Sequence, residues 1–489
     1  MARMNLTSAQ LDRAVGVVLA SAAGDALGAG YEFAEIPAGL VPEMIGGGLG
    51  GFAPGEWTDD TAQALAIAEV AADGLDLRTP DALDRIATRF ADWYAGGPAD
   101  VGVQTSEVLR RAGRRPTGAA MAEAARRVHE FRGRSAGNGS LMRTGPVALA
   151  HLGDPGALVE AARAVGALTH HEEVARDACA VWCLMIRHAV LTGDLPSFED
   201  IAPWCPNPAY WRGVLTEAET AAPTAFATNA WAVGALQAAW SAITHTPVPT
   251  HGDACEHLVD ALTAAIRIGH DTDTVAAIAG ALLGARWGAS AVPARWRRLL
   301  HGWPGATVRD LERWAHLAAT GGRPGAHGWP LTEHIDYTDW QGPAPALARH
   351  PHDPGVWLSS ATALDNLPDG VDAVVSLCLV GDRQVPARVE QVGFRLIDVP
   401  DRDANPHLDF VISDAARTVA AMRAEGRTVL VHCVAAQSRT PTIGIAYALR
   451  NGVDLDRATA EVCAALPYAR PNRAFRASLK RLAKKEARG

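Results

Sequence analysis

Through the first 318 residues, apolar positions recur at helical spacing. Residues 61–72, 119–131 and 275–287 carry it most clearly, and alanine supplies much of each segment. Glycine-rich interruptions fall between the helical stretches, notably Gly46-Gly47-Gly48 and Gly50-Gly51. No alternating pattern of strand length occurs here, so residues 5 to about 318 are predicted to be all-α. Residues 14–23 resemble the apolar core of a signal peptide. They are short, follow Asp12-Arg13 and run straight into Gly24-Asp25, so they read as a buried helix. No apolar run is expected to reach membrane-spanning length.

The pattern changes at Thr320. Gly321-Gly322-Arg323-Pro324-Gly325 and Gly342-Pro343-Ala344-Pro345 break any periodicity, with Trp329, Tyr337 and Trp340 between them. Free linkers seldom carry such large aromatics, so this segment is expected to pack on something. Beyond Pro354, residues 373–377 and 428–431 are short β-branched runs of buried-strand type. Helical patterns at 410–425, 442–450 and 455–465 alternate with them, predicting an α/β unit with a parallel sheet. The expected layout is a multidomain chain: an all-α domain over 1–320, a linker over 321–350 and an α/β domain over 351–489.

A length of 489 residues also calls for more than one core. The 48% hydrophobic and 20% charged content is that of a globular protein. A net charge of −9 disfavours a nucleic-acid partner, and the basic run from Lys480 to Arg488 reads as a solvated helix end. Seven cysteines are scattered without a CxxC pair, which fits a reducing cytoplasm better than a disulfide scaffold or zinc knuckle.

Two clusters carry candidate chemistry. Trp57-Thr58-Asp59-Asp60-Thr61 and Gly269-His270-Asp271-Thr272-Asp273-Thr274 each open an apolar helix with paired carboxylates and hydroxyls. Capping is the plain explanation for either alone. Together they can converge, and converging buried carboxylates call for cations; all-oxygen ligands suit Mg²⁺ or Mn²⁺. With Gly24-Asp25-Ala26-Leu27-Gly28 and Glu32, Asp100-Val101-Gly102 and Thr105, Gly137-Asn138-Gly139-Ser140-Leu141-Met142-Arg143, and Thr169-His170, these motifs resemble, in order, those of the ADP-ribosylglycohydrolase family. The resemblance covers residues 10 to 320. It implies a pair of Mg²⁺ or Mn²⁺ ions held by Thr58, Asp59, Asp60, Asp271, Asp273 and Thr274. It also implies Asp100 or Glu32 as acid/base, and substrate contacts from Gly137, Asn138, Gly139, Ser140 and His170. A core histidine remains the alternative reading of His170.

The second cluster is Cys433-x5-Arg439, which follows the strand at 428–431 and His432 and precedes a helix from Pro441. Converging loop N–H groups and a helix N-terminus favour an anion there, first a thiolate and then a phosphate. Arg439 can grip two phosphate oxygens, and Thr440 offers a hydroxyl. Residues 350 to 480 resemble dual-specificity protein phosphatases through Val429–Cys433 and Ser438–Thr442. The resemblance implies a Cys433 nucleophile and a general acid at Asp401, with Asp403 the alternative and Asp398 less favoured. The family usually has glycine where this chain has Ala436. Alanine is tolerated there only at negative φ. The expected function is a bifunctional hydrolase acting on an ADP-ribosylated protein or small molecule and on a phosphorylated substrate, in the cytoplasm and without a membrane. The rival is an ADP-ribosyl hydrolase whose C-terminal domain is a weakly active phosphate-binding module.

Overall fold

The computed structural model describes residues 4–37, 39–337, 346–401 and 403–486. Trp340 and the breaker run at 342–345 lie outside them. The chain divides into two compact units. One comprises Met1–Thr250, Ala254–Val292 and Leu299–Arg323; the other comprises His251–Asp253, Pro293–Arg298 and Pro324–Gly489.

The first unit is helical. The expected helices span Asp59–Ala72, Gly118–Arg132 and Thr272–Trp287. The hydroxyls of Thr58 and Thr117 set the starts of the first two by accepting N–H groups of the opening turn. One correction concerns strands: His301–Gly302 (β1) pairs antiparallel with Ala306–Thr307 (β2). Two residues per strand are too few to leave an alternating pattern.

Ser8–Gly28 opens with a capping box in which Thr7 and Gln10 exchange hydrogen bonds. A second correction applies here. Ser8–Tyr31, with a mean hydropathy of 1.3, is long and apolar enough to cross a membrane by composition alone. The apolar stretch is 94% buried within the unit, because this helix is its central core element. Its main partner is Thr272–Trp287, running antiparallel. An added Cβ at Gly16 or Gly24 would come within 2.3 and 2.2 Å of the Gly284 and Ala276 carbonyl oxygens. One at Gly280 would lie 2.2 Å from the Ala20 oxygen. The two backbones therefore touch along a stripe of small residues, and the C-terminus of one helix meets the N-terminus of the other.

The second unit holds a five-stranded sheet in the order β3-β4-β7-β5-β6. The strands are Leu347–His350 (β3), Asp353–Ser360 (β4), Ala373–Ser376 (β5), Glu390–Gly393 (β6) and Val429–Cys433 (β7). Only the β3–β4 pair is antiparallel. Central β5 and β7 are buried throughout, which is why their sequences read as continuous apolar runs. β4 opens on Asp-Pro-Gly and β6 is four half-polar residues, so neither carries a strand pattern. Helices span Leu408–Ala424, Arg439–Arg450, Leu455–Ala465 and Arg473–Glu486. The last buries Phe475, Leu479 and Leu482, leaving Lys480 and Lys484 to solvent.

The segment before the sheet packs as its aromatics imply. Ile335 is buried and exchanges backbone bonds with the Gln384 side chain (both 3.2 Å). Thr332 and Glu333 carbonyls accept Asp382 and Arg383 N–H (both 3.0 Å), and the Tyr337 hydroxyl donates to the Leu379 carbonyl (2.7 Å).

Candidate active sites

In the first unit, three helix ends bring carboxylates together: Asp25 near the end of Ser8–Gly28, Asp59 and Asp60 opening Asp59–Ala72, and Asp271 and Asp273 at the start of Thr272–Trp287. Asp25 is fully buried. It accepts from Thr58 N (3.0 and 3.2 Å), Thr61 N (2.9 Å) and the Thr61 hydroxyl (2.6 Å). By taking these orphan donors it leaves the Asp59 and Asp60 carboxylates free for other partners. Oxygens of Asp25, Asp60 and Asp273 lie within 4.8 Å of one another, as do those of Glu32, Asp271 and Asp273. Asp273 belongs to both groups. Thr58 and Thr274 hydroxyls donate to Asp60 Oδ2 (3.0 and 3.3 Å), while Asp60 Oδ1 is buried without any donor.

This crowding raises the proton affinity of the acids. Burial, and then the Asp100, Asp25 and Asp271 charges, push Asp59 up to about 8. Burial, then Asp271 and Asp100, push Glu32 up to about 7. Asp60 and Asp273 are raised well above the carboxylate range, chiefly by burial. Clustered oxygen donors, an orphaned buried oxygen and carboxyls that resist ionisation are what a hard divalent cation relieves, so these residues fit one.

Around the acids lie the other expected residues. Asn138 donates to Asp271 Oδ2 (2.8 Å) and to the Asn229 carbonyl (3.0 Å), so both its N–H groups serve the carboxylate loop. Asn229 Oδ1 accepts Asp271 N–H (3.2 Å). Gly137 and Gly139 pack closely on His170: an added Cβ at either would sit 3.2 Å from its ring. Ser140 and His170 are buried. Glu32 accepts the Leu49 N–H from the glycine-rich loop, and Asp100 is partly exposed. Sequence reasoning did not assign Asp25, Asn229 or Leu49 a role; the Gly-Asp-Ala-Leu-Gly motif was a signal for the first, and nothing local marked the other two.

In the second unit β7 ends at Cys433, and residues 434–438 lead into the helix Arg439–Arg450. Arg439 Nη1 donates to the Leu377 (2.7 Å) and Leu396 (3.3 Å) carbonyls, while its Nε is buried without an acceptor. The guanidinium is thus braced from behind with donor capacity left for an anion. The Thr440 hydroxyl, by contrast, donates to the Ser359 carbonyl of β4 (3.2 Å), so its proton is not offered to the cradle. Asp401 and Asp403 sit on the exposed loop between β6 and Leu408–Ala424, where Asp401 Oδ1 accepts Asp403 N–H (3.1 Å). Asp398 accepts from Asn472 (2.9 Å). Ala436 is buried at φ +54°, the left-handed region, so the tolerant negative-φ case does not apply and the cradle is strained there. Beside the cradle is a second thiol, Cys378, which burial pushes up to about 12.

Residues 6–325 match the ADP-ribosylglycohydrolase family model, and the chain belongs to that family. Its C-terminal region matches dual-specificity phosphatases. The chain is 31% identical to the ADP-ribosyl-[dinitrogen reductase] glycohydrolase of Rhodospirillum rubrum, over 58% of this chain and 89% of that protein. It is 29% identical to the ADP-ribosylarginine hydrolase Tri1 of Pseudomonas putida, over 58% of this chain and 73% of that protein. Its C-terminal region is 32% identical to dual specificity phosphatase 28 of Mus musculus, over 26% of this chain and 79% of that protein.

Proposed function

We propose that the chain is a bifunctional hydrolase, releasing ADP-ribose from a modified substrate in its first unit and cleaving a phosphomonoester in its second. The first activity rests on one observation above all: two groups of carboxylate oxygens, each within 4.8 Å, share Asp273. By the resemblance, Thr58, Asp59, Asp60, Asp271, Asp273 and Thr274 would hold two Mg²⁺ or Mn²⁺ ions; of these Asp60, Asp271 and Asp273 lie in the two oxygen groups, which also contain Asp25 and Glu32. Such a pair supplies Lewis acidity that orients ribose hydroxyls and favours water as a nucleophile. Asn138 orients Asp271, and the 137–139 loop lets the substrate approach backbone N–H groups. Water oxygen bonds to the anomeric carbon as the bond to the substrate's nitrogen or oxygen breaks, with Glu32 or Asp100 moving the proton. The relatives named as ADP-ribosylarginine hydrolases support a modified arginine side chain as the substrate. Release of ADP-ribose from an ADP-ribosyl-arginine substrate, lost with EDTA and restored by Mg²⁺ or Mn²⁺, tests the reading. Comparing Asp100→Asn with Glu32→Gln assigns the proton.

In the second unit Cys433 would attack phosphorus, with Arg439 holding the equatorial oxygens and Asp401 protonating the leaving oxygen. Ala436 at φ +54° favours one alternative, a phosphate-binding module of low turnover. Turnover of an aryl phosphate by the wild-type chain, against tungstate or phosphate binding alone, separates the two.

A further inference from the structure

From Asp59 of the carboxylate cluster to His170 runs a chain of side chains, of which Gln63, Arg143 and Thr169 have no role in either activity described above. Asp59 Oδ2 accepts from Gln63 Nε2 (2.8 Å). Gln63 Oε1 in turn accepts from Arg143 Nη1. Arg143 Nη2 donates to the Thr169 hydroxyl (2.6 Å), whose oxygen is 2.7 Å from His170 Nδ1. Arg143 is buried, stacked 4.3 Å from the Phe90 ring centroid, and lies one residue layer from the acids.

We propose that Arg143 is a positioning residue that orients Asp59 through Gln63 and His170 through Thr169, so that His170 presents an Nε2–H donor to an oxygen of the ADP-ribosyl substrate. This deepens the glycohydrolase reading and rests on it for the ligand.

Hydrogen-bond polarity carries the argument. Arginine has donors and no acceptor, so the Thr169 oxygen must accept from Arg143. Thr169 is fully buried, and among the described residues His170 Nδ1 is the one acceptor within hydrogen-bond distance of its hydroxyl, so satisfying that buried proton places it on the Nδ1 side and leaves Nδ1 unprotonated. A neutral imidazole with Nδ1 as acceptor carries its proton on Nε2. Burial, with the Arg143 charge, holds the ring down at about 3, so it is neutral at physiological pH. The Nε2 edge faces Gly137 and Gly139, the loop where side chains are absent and a ligand can come close. A donor there selects an acceptor, either a ribose hydroxyl oxygen or a pyrophosphate oxygen. At its other end the same guanidinium fixes which face of the Gln63 amide meets Asp59, since Gln63 can donate to the carboxylate only if its oxygen is turned to Arg143.

The test uses the full chain with ¹⁵N-labelled histidine, the His170 signals being assigned by their loss in His170→Gln. The expected ring state is the Nε2–H tautomer in wild type and in Thr169→Ser. Thr169→Val removes the proton donor to Nδ1. The tautomer should then shift or become mixed, and ADP-ribose should bind on the order of tenfold more weakly by calorimetry with Mg²⁺ present, while Thr169→Ser retains affinity. An Nδ1–H tautomer or an imidazolium in wild type overturns the proposal without any variant having to fold. So does Thr169→Val with unchanged tautomer and unchanged affinity. Wild-type protein that binds no ADP-ribose but keeps the Nε2–H tautomer refutes the glycohydrolase reading and the donor's assigned ligand, and supports the Arg143–Thr169 positioning.

Discussion

The two candidate sites use the same structural device for opposite purposes. Each lies at helix N-termini, where unpaired N–H groups and the helix dipole favour negative charge. In the first unit that potential is spent on the protein's own acids. Asp25 takes the donors at the start of Asp59–Ala72, and the remaining carboxylates face one another with an orphaned oxygen among them. In the second unit no side chain caps the start of Arg439–Arg450 among the described residues, and the loop leading into it joins the Cys433 thiol to a guanidinium with a spare donor. One site is a surplus of acceptors and calls for a cation; the other is a surplus of donors and calls for an anion. A helix N-terminus therefore specifies no ligand by itself. The side chains that surround it decide the sign.

The largest effect should come from emptying or neutralising the acceptor site. Asp273→Asn removes the residue shared by both oxygen groups and is expected to reduce ADP-ribose release to background while circular dichroism stays native. A chelated wild-type sample that hydrolyses at full rate would break the contrast at its first half.

Nearly as large is the effect expected on the donor site. Cys433→Ser should abolish aryl phosphate turnover and keep phosphate binding, because the loop and Arg439 remain. Asp401→Asn should slow turnover by roughly a hundredfold for poor leaving groups, which need the proton most. A greater loss in Asp403→Asn would move the acid to that residue.

A third measurement separates the sites by pH. Glu32 near 7 and Asp59 near 8 are raised above their unfolded values, so the folded metal-free chain binds more protons than the unfolded one between about pH 4 and 8. Their contribution to stability is full below about pH 4 and is lost as pH rises through 7 to 8. Denaturant midpoints of the first unit's transition should fall over that range without metal and flatten with saturating Mg²⁺. A metal-free midpoint that rises with pH would contradict the acceptor-surplus account.

The smallest effect sharpens the comparison inside the cradle. Ala436→Gly relieves a left-handed alanine costing about 1–2 kcal/mol but adds unfolded-state entropy of about 0.4–1 kcal/mol. A net gain of about 0.5 kcal/mol in the second unit's unfolding transition is expected, with a rise of a few-fold in phosphatase rate. A gain in stability without turnover supports the binding-module reading.

What the sequence disclosed follows from how local each signal is. Long alanine-rich helices, the buried runs of β5 and β7 and the cysteine–arginine spacing were readable because each depends on near neighbours in the chain. The packing of Tyr337 was foreseeable from aromatic content alone. Hidden features depend on distant partners. Asp25 acquires its role only where another helix starts, and Leu49 only where its N–H meets Glu32. The motif marked Asn138 as a substrate contact, but nothing local showed that its two N–H groups also hold Asp271 and the Asn229 carbonyl. β4 and β6 escaped because sheet neighbours, not their own residues, make them strands. The φ of Ala436 could be posed as a question from sequence but answered only by the backbone.

The glycine stripe between Ser8–Gly28 and Thr272–Trp287 has a consequence for how this enzyme can vary. Gly280 is about 10 Å along its helix from Asp273, by helical rise, and touches no reacting group. Yet its missing side chain sets how far the backbone carrying Asp273 stands from the one carrying Asp25. A single methyl group there would meet the Ala20 carbonyl oxygen at 2.2 Å and act as a shim, pushing one set of oxygens away from the other. Residues that look like inert core filler are thus calibrated spacers, and mutational intolerance in this unit should follow the helix seam as closely as it follows the acids.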